Sequence, residues 1–147
     1  MKRFFNFFVA LILVQFFVSC SSSNQCSNYN NYRIDYYSAG GFTAVEQGVT
    51  IKCNGWKYIW TKKPNEKSVI SDSLKLDADQ TVKFGEMLKS PALYSYHNDY
   101  KGNRTTYLVL TTEKNYNSVS FNASDLPGEM PGVMKNLIAE IQKGFTK

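Results

Sequence analysis

From Tyr32 onward apolar and polar positions alternate. Tyr32, Ile34 and Tyr36 fall on one side of an extended chain, with Arg33, Asp35 and Tyr37 on the other, which predicts a strand. Ser38-Ala39-Gly40-Gly41 breaks the run, and Phe42-Thr43-Ala44-Val45 resumes it. Residues 49–53 and 56–61 then flank Asn54-Gly55, the preferred two-residue type I′ hairpin loop. That loop would set Cys53 opposite Trp56, Ile51 opposite Tyr58 and Val49 opposite Trp60. Six apolar or aromatic side chains then share one face, predicted to be the buried one, and Thr50, Lys52, Lys57 and Ile59 take the other. A short strand is expected within residues 68–76. Residues 105–112 are apolar on both faces at Tyr107-Leu108-Val109-Leu110, as in a central strand, and Val119 and Phe121 mark the returning one.

The pattern changes period twice. Asp77, with Gln80 three residues on, has the form of a capping box. The helix it opens carries Val82, Phe84, Met87 and Leu88 toward Ser90-Pro91. Asp77 and Asp79 suggest a calcium loop only superficially, because Val82 stands where that loop requires glycine. Near the end, Val133, Met134, Leu137, Ile138 and Ile141 form one helical stripe, introduced by Pro131 and closed by Gly144. The pattern predicts an α+β domain, an antiparallel sheet of about five or six strands with two helices packed on one face.

A different pattern precedes the domain. Lys2 and Arg3 lead an apolar run from Phe4 to Val18 that only Asn6 and Gln15 interrupt. As a helix it would span roughly 22 Å, short of the ~30 Å hydrocarbon core of a bilayer, so it has the form of a secretory signal. Phe17-Val18-Ser19-Cys20 resembles the bacterial lipobox. Ser19 and Cys20 match it, while Phe17 stands where a branched aliphatic residue is usual. The resemblance implies a signal peptide at 1–19, lipid on Cys20 as the link to a membrane, a polar tether at 20–31 and a single domain at 32–147. No acidic residue stands beside Cys20, and the resemblance then implies the periplasmic face of the outer membrane.

Composition narrows the function. The chain has 17 basic and 12 acidic residues. Setting aside Lys2 and Arg3 leaves an ordinary surface balance without a Lys/Arg run, so nucleic acid is not an expected partner. With Cys20 lipidated, Cys26 and Cys53 remain as a candidate disulfide in an oxidising compartment, the alternative being a buried Cys53 and a free Cys26. Three scattered cysteines and one histidine, His97, have no metal-ligand spacing, so neither metal nor cofactor is expected. There is no Gly-x-Ser-x-Gly elbow and no phosphate-binding glycine loop, so an enzyme is not expected either. Asp72-Ser73-Leu74 resembles an envelope O-glycosylation motif.

The order of features resembles a family. A first strand runs into Gly40-Gly41-Phe42, and Leu76-Asp77-Ala78-Asp79-Gln80 opens a helix. A strand at 105–112 pairs onward to Val119-Ser120-Phe121, followed by Asp125-Leu126-Pro127 and a closing helix. These resemble the emfourin-type proteins, small α+β domains of which at least one inhibits a thermolysin-like metallopeptidase. The similarity covers residues 33–141 and departs at Ala44-Val45-Glu46, where a further glycine is expected, and at the Cys53/Trp56 hairpin. It implies an envelope binding module with a protein partner, a peptidase among the possibilities. Gly40, Gly41 and Phe42, with Tyr37 as a flanking aromatic, are the candidate partner-binding residues. Phe42 has a second reading, as the first core residue of the next strand. A glycan- or ligand-binding surface on exposed tyrosines, and a structural subunit of an envelope complex, are the alternatives from other classes.

Overall fold

The structure, a computed structural model, describes Cys26 and residues 31–143. The residues read as a signal peptide, Cys20, most of the expected tether and the expected helix stop Gly144 lie outside the described residues. Six strands, β1 (Tyr32–Gly40), β2 (Glu46–Lys52), β3 (Trp56–Lys62), β4 (Val69–Lys75), β5 (Arg104–Thr112) and β6 (Tyr116–Phe121), form one sheet. Every pairing is antiparallel, and the spatial order is β4-β3-β2-β1-β5-β6. Three helices accompany it among the described residues, α1 (Ala78–Met87), α2 (Ala92–Ser95) and α3 (Gly132–Gln142). The α+β class follows.

One face of the sheet holds the core. Ile34 lies opposite both Ile51 and Leu110, and Leu108 opposite Val119, all fully buried. Register partners share a face, so polar side chains in the same rows show where the helices sit. The Tyr32 hydroxyl donates to the Thr81 carbonyl at 3.0 Å, in α1. Gln142 Nε2, at the end of α3, donates to the Tyr36 hydroxyl at 2.8 Å. Asn117 Nδ2 donates to the Leu93 carbonyl at 2.6 Å, in α2. All three helices therefore touch this face. Met134, Leu137, Ile138 and Ile141 bury the predicted stripe of α3, each contributing roughly 1.5–3 kcal/mol.

The capping box is present: Asp77 Oδ1 accepts from the Gln80 amide at 2.7 Å, and Gln80 Oε1 from the Asp77 amide at 3.3 Å. Carboxylate capping thus accounts for Asp77. The helix ends at Met87, earlier than the pattern suggested, and a separate short turn of helix after Pro91 buries Leu93.

The β2–β3 hairpin forms, but not in the expected register. Ile51 pairs with Lys57, Thr50 with Tyr58 and Val49 with Ile59. The loop holds three residues, Cys53, Asn54 and Gly55. The Gly55 amide closes a turn onto the Lys52 carbonyl at 2.9 Å, and only Gly55 of the three takes positive φ, +76°. This is a turn followed by a left-handed glycine bulge, the other loop that Asn-Gly supports. The extra residue moves Trp56, Tyr58 and Trp60 to the face opposite Val49, Ile51 and the helices. Lys57 and Ile59 go inward in their place. Lys57 is 4% exposed, and its Nζ donates to the Ile141 carbonyl at 2.9 Å, at the C-terminal end of α3, where a cation is favoured by the helix dipole.

Candidate functional site

The displaced aromatics define a surface. Trp60 of β3 and Tyr37 of β1 both lie opposite Gly48 of β2, and Tyr37 lies opposite Tyr107 of β5. One row across four strands therefore reads Trp60, Gly48, Tyr37, Tyr107. Gly48 is required by close approach, since a Cβ there would lie 2.3 Å from the Tyr37 Cβ. Without a side chain at 48, the rings of Tyr37 and Trp60 come to 5.7 Å between centroids across the β2 backbone, as aromatics do when they cover a strand glycine. Tyr37 and Tyr107 stack at 5.0 Å and 16°. In the rows nearer the β2–β3 turn, Trp56 and Tyr58 stack at 6.2 Å, with Lys52 over Tyr58 and Lys75 over Trp56.

A polar chain runs from the Trp60 row through the Tyr58 row, which continues as Thr50 and Asp35. Trp60 Nε1 donates to Thr50 Oγ1 at 3.1 Å, and Thr50 Oγ1 donates to Asp35 Oδ1 at 2.6 Å. Arg33 grips both Asp35 oxygens, at 2.8 and 2.9 Å. The chain fixes the Trp60 ring, and a groove of roughly 610 Å³ is lined by Thr50, Asp35, Trp60 and Tyr58 among others. Burial, with Glu46 adding a smaller effect, pushes the Tyr37 phenol above its ordinary range.

The second feature is the β1–β2 loop. Gly40 and Gly41 have φ of +99° and +79°. The Gly41 amide donates to the Asn103 carbonyl at 2.6 Å, and a Cβ on Gly40 would meet that carbonyl oxygen at 2.6 Å. Glycine is therefore needed to clamp the loop on the entry to β5. Residues 42–45 are not strand as expected. Ala44 also takes positive φ, and β2 begins only at Glu46. Phe42 is fully exposed at the tip, which removes its reading as a core residue. Gly40, Gly41 and Phe42 are one unit; Tyr37 belongs to the aromatic row on the sheet.

Cys26 and Cys53 form a disulfide that fastens the segment before β1 to the β2–β3 turn. Cys20 lies outside the described residues. His97 is exposed between α2 and the strand pairing, and among the described residues no three His, Cys, Asp or Glu side chains group as metal ligands. Asp72-Ser73-Leu74 lies on the edge strand β4, where every residue is exposed. Sequence reasoning missed Trp60, Tyr107, Thr50 and Asp35 as a group. The signal lay in Gly48, an interior strand glycine between aromatic-rich strands. No protein-family model matches the chain, and no curated protein matches it.

Proposed function

We propose that this protein is a lipid-anchored binding module of the cell envelope that holds a protein partner at the β1–β2 loop and performs no chemistry of its own. The observation that carries the reading is Phe42, a large apolar side chain fully exposed on a loop whose two glycines are clamped to β5. Presenting an aromatic ring on a preorganised loop is how interface anchors are built.

Two further points support it. The Cys26–Cys53 disulfide suits an oxidising compartment outside the cytoplasm. It also ties the proposed tether to one end of the sheet. Only residues 21–25 separate Cys20 from Cys26, a reach of roughly 20 Å. The β2–β3 turn would stay close to the membrane, while β1 carries the Phe42 loop about 25 Å further out. A partner in the envelope space would meet that loop first. The resemblance to emfourin-type proteins nominates a metallopeptidase as the partner class, and inhibition as its consequence.

The test is Phe42→Ala in the full chain. An exposed anchor predicts an unchanged melting temperature with partner capture weakened by ~2 kcal/mol or more. A core role predicts a stability loss of ~3–5 kcal/mol instead, and that result would retire the loop.

A further inference from the structure

The row of rings on the open face has a chemistry of its own, separate from the Phe42 loop. We propose that Trp60, Tyr37 and Tyr107, with the groove beside them, bind a glycan: a chain of pyranose sugars lying across the sheet. The composition of the face is what selects this occupant. Of the side chains that line the groove, only Ile70 and Val109 are aliphatic. The rest are aromatic rings, hydroxyls and charged groups. Protein interfaces also use Tyr, Trp and Arg, but they deplete charge at their buried centre, whereas this groove holds the Asp35 carboxylate and Thr50 beside its rings.

A pyranose ring has the complementary shape. One or both of its faces present C–H bonds, which pack on the electron-rich face of an aromatic ring. Its rim presents hydroxyls, which need donors and acceptors in the same plane. Tyr37 and Tyr107, stacked at 5.0 Å and 16°, brace each other and offer a sugar the ring surface left outside their overlap. Trp60, tilted 44° to Tyr37, forms a wall. Asp35 keeps one acceptor site, on Oδ2, beyond those taken by Thr50 and Arg33, and Lys52, over the Tyr58 ring and lining the groove, is a donor. The rings are held before any ligand arrives. Trp60 is tied through its Nε1 to Thr50, and Tyr37 sits over Gly48. Little side-chain freedom is then lost on binding.

The protein contains its own reporter. Both of its tryptophans, Trp56 and Trp60, are on this face. The full chain, held in a polyoxyethylene detergent that carries no sugar, is titrated with xyloglucan, galactomannan and polygalacturonate while tryptophan emission is recorded. Binding of at least one polymer is expected to shift the emission. Tyr107→Ala and Trp60→Ala should weaken that binding by about tenfold or more, and Tyr107→Phe, which keeps the ring, should retain it. Melting curves identify which variants stay folded. If Trp60→Ala does not fold, the Tyr107 pair decides.

The proposal is overturned if none of the three polymers shifts the emission, or if folded alanine variants bind as the wild type does. It is equally overturned if the face is covered by a second copy of the chain, seen as a concentration-dependent dimer that Tyr107→Ala abolishes.

Discussion

Replacing Lys57 tests the register on which both surfaces depend. In the observed hairpin Lys57 points at the helices, 4% exposed, and donates to the Ile141 carbonyl. Lys57→Ala removes three stem methylenes, worth ~0.8 kcal/mol each when buried, and a hydrogen bond from a charged donor worth ~1.5–3 kcal/mol. Relief of the buried ammonium offsets much of the second quantity, leaving a net loss of roughly 2–3 kcal/mol. For a domain of this size that lowers Tm by roughly 6–15 °C. Lys52→Ala, on the exposed face of the same hairpin, should change stability by less than about 0.5 kcal/mol. Urea or thermal unfolding of the two variants side by side makes the comparison. Equal, small effects would refute the reasoning. They would mean a two-residue turn, with Trp56, Tyr58 and Trp60 packed under the helices and no aromatic face.

The same residue gives a pH dependence. Burial holds the Lys57 ammonium below the usual lysine value of 10.5 in the folded protein. Between that lowered value and 10.5 the unfolded chain binds a proton that the folded one has shed, so this residue's contribution to stability rises with pH across the window. Wild type should gain stability relative to Lys57→Met as pH is raised through it.

Two further outcomes are expected. Closing a loop across 27 positions stabilises by roughly 3–4 kcal/mol on chain-entropy grounds. Reduction, or the double change Cys26→Ser and Cys53→Ser, should lower the urea midpoint accordingly, and alkylation of both thiols without reductant would show that the bond is not formed. Cys20→Ala should yield an unprocessed or soluble product that takes up no labelled palmitate, and continued labelling would overturn the lipid assignment.

Much of the fold is legible in the sequence because local patterning and tertiary structure agree there. The alternation in β1, the Asp77/Gln80 box, the stripe on α3 and the pairing of Cys26 with Cys53 each rest on a signal within a few residues or on simple elimination. The hairpin register is different. Asn54-Gly55 is compatible with two loop lengths that differ by one residue, and one residue exchanges the faces. Trp56, Tyr58 and Trp60 then read as core on hydrophobicity, and Lys57 as surface on charge. Both inferences fail because apolar residues need not be buried and a lysine can bury its stem when its ammonium finds a carbonyl. Phe42 read as strand because its neighbours are β-formers, whereas Gly40, Gly41 and Ala44 bend the chain into a loop. The row of Trp60, Tyr37 and Tyr107 was beyond reach for another reason. It exists only through the order β3-β2-β1-β5, which no local pattern specifies.

The claim that Phe42 meets a protein partner is tested most directly by a photo-crosslinking phenylalanine analogue placed at position 42 of the full-length protein in intact cells. A control carries the same analogue at Lys114, an exposed position in the β5–β6 turn at the opposite end of the sheet. The account predicts a discrete protein adduct on illumination from position 42 and none from position 114. No adduct from 42, or the same adduct from both positions, would contradict it.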